Sequence, residues 1–279
     1  MEGRKTMSNV PIEIFNIART VVDKGEARRW LDHVGAENYQ IPDDGAVSNP
    51  ALLIALAAKR CYMSFEPGLN PNVSKVRSNM VDYIDNILAS GHGSVLEHSV
   101  YTFAMEGVSR VFTAEMNRHR AGWAISEGSL RFIRFDKDVP WWMPTSIQED
   151  ASDDHDLASR KQRSREIFAK AFKHQEECYA ELLDVWEMNS INKNFSYKKK
   201  VTSCLRRIIG MGVATGGVWS GNIRALRHVI TMRGAEAAEE EIFYVFGRIA
   251  EMMIKEEPLL FGDFSKNDKG AWSPRYRKV

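Results

Sequence analysis

Residues 99 to 107 read SVYTFAMEG, and their side chains alternate: Val100, Thr102 and Ala104 against Tyr101, Phe103 and Met105. A period of two belongs to a β-strand, so this segment reads as a strand. Most of the surrounding chain keeps the 3.6-residue period of a helix instead. Helices are expected over 16–33, 50–62, 76–90, 109–120, 161–189, 222–233 and 236–256. Pro50 after Asn49 suits a first helical turn, Ser109 an N-cap, and Gly91 a helix end. Val76, Met80, Tyr83, Ile84 and Leu88 form one core stripe; Ile242, Val245, Phe246, Ile249, Met252 and Met253 form another. Further strand-like runs are SLRFIRF, 129–135, and GVWSG, 217–221, whereas 137–160, with its prolines and acids, reads as a surface excursion.

Few strands among many helices predict a single mixed α/β domain, with a small central sheet flanked by long helices. No stretch reads as a linker, so one domain is expected over 16–262, with tails at 1–15 and 263–279. Met7 could serve as an alternative start.

With 279 residues and 44% hydrophobic side chains, the chain can bury a substantial core. Its 38 Lys and Arg nearly balance 37 Asp and Glu, which argues against a dedicated nucleic-acid binder. Cys61, Cys178 and Cys204 are scattered and odd in number, so neither a disulfide framework nor a structural zinc site is expected. No long apolar run suggests a signal peptide or membrane span; a cytoplasmic protein is expected.

Against this neutral background, NRHRAGWAISEGSLRF, residues 117–132, is a dense knot of cations and hydroxyls. Guanidinium forks match phosphate or a carbonyl edge. One unit charge near another at about 4 Å is worth roughly 4 kcal/mol at an effective dielectric near 20, before desolvation. Arg118 and Arg120 lie about 200° apart on a helix, so they serve different partners or the chain leaves the helix there. The same cations also fit a helix C-terminus favoured by the macrodipole, and spacing leaves both readings open.

In GHGSVLEH, 91–98, His92 and His98 are about 240° apart on a helix and would not converge on a metal as in HExxH. Orienting or hydrogen-bonding roles suit them better. Along 221–243, Arg224, Arg227 and His228 fall on neighbouring helical turns and Arg233 precedes Gly234, which equally suits a solvated, capped helix. The basic run NKNFSYKKK reads as a solvated helix face. Gly210 and Gly212, after Arg206 and Arg207, make neither a dinucleotide fingerprint nor a P-loop.

Taken together, these segments resemble the flavin-dependent thymidylate synthases over about residues 50–262. The family's RHR, spacer, Ser-x-Arg-Tyr signature stands here as RHR-AGWAISEG-S-L-RF, and its upstream pattern as GHGSVLEHSVYTFAMEGVSR. The downstream Asn-x-Arg segment stands as NIRALRHVITMRGAEAAEEEI. The resemblance implies a homotetramer with sites built from several subunits. It implies FAD held by Ser94, Arg118, His119, Arg120, Glu127, Asn222, Arg224 and His228. It implies dUMP contacted by Glu115, Arg118, Ser129, Leu130, Arg131, Arg206 and Arg233, with His92 near the flavin and the folate. NADPH reduces the flavin and methylenetetrahydrofolate supplies the one-carbon unit in such enzymes; no metal, nucleic acid or membrane is implied.

The residues agree with that chemistry. An Arg paired to the N3–O4 edge of uracil favours an enolate-like form, an electrostatic activation of C5, and Arg233 is the candidate. No cysteine sits in a nucleophile-like context, and Ser129 lacks an evident activating base. Three departures stand out. One extra residue between RHR and Ser129 leaves Ser126 and Glu127 competing for the family's acidic position. Phe132 replaces Tyr, and Ile209-Gly210 replaces a frequent Leu-Pro. The altered loop keeps two other readings open: a same-fold enzyme methylating or hydroxymethylating UMP, and a non-catalytic nucleotide- or RNA-binding protein.

Overall fold

The computed structural model describes residues 10–43, 45–135, 138–148, 154–190 and 194–279. The elements run β1 (Glu13–Arg19), α1 (Lys24–His33), α2 (Asn49–Tyr62), α3 (Met80–Ala89), β2 (Val100–Ser109), α4 (Arg110–Met116) and β3 (Trp123–Glu127). They continue α5 (His155–Val185), α6 (Phe195–Leu205), β4 (Ala214–Asn222), α7 (Ile223–Arg233), α8 (Glu240–Glu256), α9 (Pro258–Phe261), β5 (Phe264–Lys266) and β6 (Trp272–Pro274). β1, β2, β4 and β3 pair in the order β1-β2-β4-β3, and β5 pairs antiparallel with β6. The fold is mixed α/β with small sheets, as expected.

Two compact units emerge, each assembled from discontinuous segments. Among the described residues the first takes 10–15, 104–118 and 125–218; the second takes 16–103, 119–124 and 219–279.

In the first unit, α5 and α6 bury Tyr179, Leu183, Met188, Val201 and Leu205 together. A second cluster joins Val139, Trp141, Phe172 and Val213, with the Trp141 and Phe172 rings stacked at 4.1 Å. Gly107 in β2 has φ +75°, and any Cβ there would strike the Pro11 carbonyl, so only glycine fits.

In the second unit, Leu31, Leu52, Leu56 and Phe65 form one core, with Trp30 and Tyr39 edge-on to Phe65. Ile223, Leu226, Val229 and Ile230 of α7 are buried, as are Ile242, Val245, Phe246 and Ile249 of α8. Residues 263–279 are built into this unit: Arg227 forms a two-point ion pair with Asp263, and Trp272 is buried.

Several expectations are corrected. Residues 16–19 are strand, not helix; the helix waits for Asp23, whose side chain accepts from the Glu26 N–H. Residues 76–79 are not helical, because Asn79 caps α3 from Met80 onward. α4 ends at Met116, so 117–120 leave the helix. Residues 123–127 form a strand unforeseen in a Gly- and Ser-rich stretch. SLRFIRF is no strand: the Ser129 carbonyl accepts from Phe132 and Ile133, and its hydroxyl accepts from the Arg131 N–H, closing a turn.

Nor is the 137–160 stretch a surface excursion throughout. Val139, Trp141 and Trp142 are buried, since Val10, Gly212 and Ala214 make backbone bonds to Trp141, Trp142 and Pro140. Residues 137 and 149–153 lie outside the described residues. α5 starts earlier than expected, at His155 behind its Asp154 cap, and ends at Val185. α8 starts at Glu240, and Met252 is half-buried rather than core.

Candidate functional site

Two pockets, one in each unit, collect seven of the fifteen singled-out residues. The first-unit pocket measures about 530 Å³ and is lined by Arg110, Glu127, Ser129, Leu130, Arg206 and Arg207. Local structure explains how these residues meet. Ser109 ends β2 and caps α4, accepting from the Val111 and Phe112 N–H groups, so Arg110 opens a helix at a strand end. The Arg110 guanidinium pairs with Glu127 at 3.0 Å and also donates to the Gly128 carbonyl. That clamp fixes the end of β3 just where the Ser129 turn begins. Gly128 sits tightly here, since a Cβ would lie 2.7 Å from the Thr215 hydroxyl. Arg206 and Arg207 arrive at the C-terminus of α6, where the chain tightens into a short 3-10 turn. Three guanidiniums face one carboxylate along this wall, which suits a dianion such as a phosphate monoester.

The second-unit pocket measures about 340 Å³ and is lined by Glu97, Ala121, Gly122, Asn222, Arg224, Ala225, His228 and Val279. Its floor is the start of α7. Asn222 caps that helix, accepting from the Ala225 N–H at 2.8 Å, while its own N–H donates to the Gly122 carbonyl at 3.0 Å. Gly122 has φ +75°, and a Cβ there would lie 2.7 Å from both Ala225 and Asn222. Glycine therefore lets the loop after RHR lie directly on the helix start, where peptide N–H groups and the macrodipole favour an anion. Arg224 pairs with Glu97 at 2.6 Å, and a Cβ on Gly93 would lie 2.7 Å from the Arg224 Nε.

Arg233 donates from Nε to His119 Nε2 at 2.7 Å, and the His119 ring stands edge-on to His228 at 6.3 Å. This bond makes His119 an acceptor at Nε2, which places its ring proton on Nδ1. His92, just before the short 3-10 turn Gly93–His98, meets the Tyr62 hydroxyl at 2.7 Å.

The expected residues are thus partly gathered. Ser129, Leu130 and Arg206 share the first pocket, and so does Glu127, which the resemblance grouped with the cofactor. Of the two candidates for the acidic position, Glu127 faces this pocket and Ser126 is exposed. Asn222, Arg224 and His228 share the second pocket, and His119 joins Arg233. Glu115 and Arg118 pair at 4.0 Å at the end of α4 in the first unit. Ser94, Arg120 and Arg131 are exposed and line neither pocket. Arg227, expected on a solvated helix, is instead 3% exposed and tied to Asp263.

Sequence reasoning missed Arg110, although it closes the quoted GVSR segment, and it gave Glu97 no role. It had no signal for Tyr62.

Comparison with known proteins identifies the chain's relatives. The sequence profile of the family described as "Thymidylate synthase complementing protein" matches residues 46–259. The chain belongs to this family. A "Flavin-dependent thymidylate synthase" of Mycobacterium tuberculosis H37Rv is 30% identical over 219 residues, covering 78% of this chain and 81% of the relative. One from Corynebacterium diphtheriae is 29% identical over 227 residues, covering 79% and 81%.

Among solved structures, thymidylate synthase X (ThyX) from Helicobacter pylori with FAD and dUMP superposes with a TM-score of 0.54 at 19% identity. It covers 90% of this chain and 98% of that one. The UMP/dUMP methylase PolB from Streptomyces cacaoi with 5-Br UMP gives 0.60 at 16% identity, covering 90% and 92%. At these identities the structures show a shared fold. The matched segment holds every lining residue of the first pocket and all but Val279 of the second, and residues 263–279 lie beyond it. Among the described residues no helix is long and apolar enough to cross a membrane.

Proposed function

We propose that this chain is a flavin-dependent thymidylate synthase, converting dUMP to dTMP with FAD, NADPH and methylenetetrahydrofolate. The observation that carries the reading is the first-unit pocket. Side chains from the start of α4, the end of β3, the turn after it and the end of α6 place three arginines and Ser129 around one space of nucleotide size. Family membership then supplies the chemistry.

In that pocket Arg206 and Arg207 hold the phosphate of the pyrimidine nucleotide, with Ser129 as a neutral donor beside them. Glu127, fixed by Arg110, offers a carboxylate to a sugar hydroxyl or the imide N–H. The second-unit pocket takes the flavin nucleotide: the start of α7 faces its phosphates, and Arg224, His228 and the Gly122 loop shape the wall. Flavin, when bound, supplies hydride transfer. Arg233, oriented by His119, is the residue for polarising the uracil N3–O4 edge of a nucleotide held by another subunit of the homotetramer, so that C5 becomes nucleophilic and no enzyme thiolate is required. The exposed positions Ser94, Arg118, Arg120 and Arg131, together with Glu115, fit sites completed by other subunits of a homotetramer.

The test is incubation of the purified protein with FAD, NADPH and methylenetetrahydrofolate, offering dUMP and UMP in parallel. Formation of dTMP is expected. A protein that takes up no FAD and makes no dTMP would refute the reading, and faster turnover of UMP would move the substrate to the ribonucleotide.

A further inference from the structure

We infer that Tyr62 is a positioning residue for His92: its hydroxyl donates to His92 Nε2 and thereby fixes the imidazole as the Nδ1–H tautomer. The inference rests on the synthase reading only for what that Nδ1–H then meets.

The two residues come from separate elements, and each backbone is pinned. Tyr62 is the last residue of α2; Met63 follows in the left-handed region at φ 48°, and Asn70 donates to the Tyr62 carbonyl at 2.8 Å. One turn earlier, Lys59 is 2% exposed and donates to the carbonyls of Ser64 and Arg77, tying down both ends of the loop that follows. On the other side, the His92 N–H donates to the Ile87 carbonyl at 3.1 Å, and His92 lies between Gly91, at φ +71°, and Gly93, against which Arg224 packs. Neither backbone has room to drift.

The side chains, by contrast, are held by little except each other. Tyr62 is 47% exposed, so packing alone does not fix its ring. The rings lie within 18° of parallel with centroids 5.5 Å apart, and the hydroxyl meets Nε2 at 2.7 Å. A phenol is a better donor than acceptor, and a neutral imidazole nitrogen is the best acceptor it could meet there. The bond therefore runs from Tyr62 to His92. Free histidine favours the other tautomer, with the proton on Nε2, so this contact imposes a form that the side chain would not adopt by default. The structure repeats the device at His119, where the Arg233 Nε likewise donates to Nε2. Both histidines then present an Nδ1–H donor, which suits a carbonyl oxygen or ring nitrogen at the edge of a planar heteroaromatic ligand such as a flavin or a pterin.

The test uses the full chain labelled with 15N-histidine, with the His92 signals among those of its seven histidines assigned by His92→Gln. In the unaltered protein His92 is expected to show a protonated Nδ1 and an acceptor Nε2; in Tyr62→Phe the pattern should move to the protonated Nε2 form. With substrates, Tyr62→Phe should lower kcat by about tenfold, the scale of one hydrogen bond. FAD content and the melting temperature should be unchanged. The loss should vanish when the substitution is made on a His92→Gln background, because the effect travels through His92. An unchanged tautomer in Tyr62→Phe, or an equal loss on both backgrounds, overturns the inference. The tautomer is read without turnover, so failure of the synthase reading and failure of this one are told apart.

Discussion

The two units use charge in opposite ways. Among the described residues, the buried charged side chains Lys59, Arg227, Glu241 and Glu257 all belong to the second unit. There charge is scaffolding. Arg227 joins Asp263 and the Leu260 carbonyl, and Glu257 receives the hydroxyls of Ser48 and Tyr101. Even the pocket cation of that unit, Arg224, is matched by Glu97. In the first-unit pocket three arginines line the wall with one carboxylate, Glu127, which pairs with Arg110. A matched buried ion fixes geometry, because unpairing it is costly. Arg206 and Arg207, for which no carboxylate partner is found among the described residues, are instead placed to attract an anion. On this comparison the second unit holds its site by architecture, and the first recruits its ligand by charge.

The most drastic way to break the comparison is Arg227→Met. It leaves Asp263 buried without its cation, and the protein should lose about 3–5 kcal/mol of stability in a denaturant titration. A loss below about 1 kcal/mol would show that this ion pair is not scaffolding.

Next comes Arg206→Ala in the first unit. Losing one charge-assisted phosphate contact should weaken dUMP binding by about 10- to 100-fold, corresponding to roughly 1.5–3 kcal/mol. Stability and FAD content should hold, as calorimetry and the flavin absorbance would show. An unchanged dUMP affinity would move the phosphate elsewhere.

Asn222→Ala should behave in the converse manner. Removing the α7 cap costs about 1 kcal/mol of stability and should reduce FAD retention on gel filtration, with dUMP affinity changed less. Equal effects on both ligands would erase the distinction between the pockets.

The smallest effect is a pH dependence. Burial pushes the Glu257 carboxyl up, partly countered by the bonds from Ser48 and Tyr101. A raised folded value means that the native state holds the proton longer. The resulting stability is complete below the ordinary carboxylate range and is lost as pH rises through the raised value. Glu257→Gln cannot ionise, so its stability relative to the unaltered protein should improve as pH rises from about 4 to 7. Urea midpoints along that range measure it, and a constant difference would mean that Glu257 does not titrate there.

Much of this was legible from residue patterns. The alternation identified β2 as a strand, and the structure buries its Tyr101, Phe103 and Met105 fully. Ser109 as a cap and Gly91 at the end of α3 followed from local backbone chemistry that needs no tertiary context. The misreadings share a cause. SLRFIRF alternates like a strand, but the Ser129 hydroxyl and carbonyl capture the following N–H groups and close a turn. Residues 138–148 look like surface because of Pro140 and Pro144, yet Trp141 lies on Phe172, a partner supplied from α5. Periodicity reports how a segment could bury a face, not whether another segment is there to cover it.

Sequence alone therefore determined most of the helices in outline, the Ser109 cap, the strand β2 and the resemblance that named the chemistry, since each depends on residues near one another along the chain. Only the tertiary structure decided which cations are ligand-facing and which are structural. Arg224 and Arg227 stand three residues apart on α7, but one lines a pocket opposite Glu97 and the other is buried on Asp263. Arg110, unmarked by any role in the sequence, proved to be the clamp on Glu127. The physical reason is that the fate of a charge depends on what the fold places within a few ångströms of it, and those partners lie 127, 36 and 17 positions away along the chain.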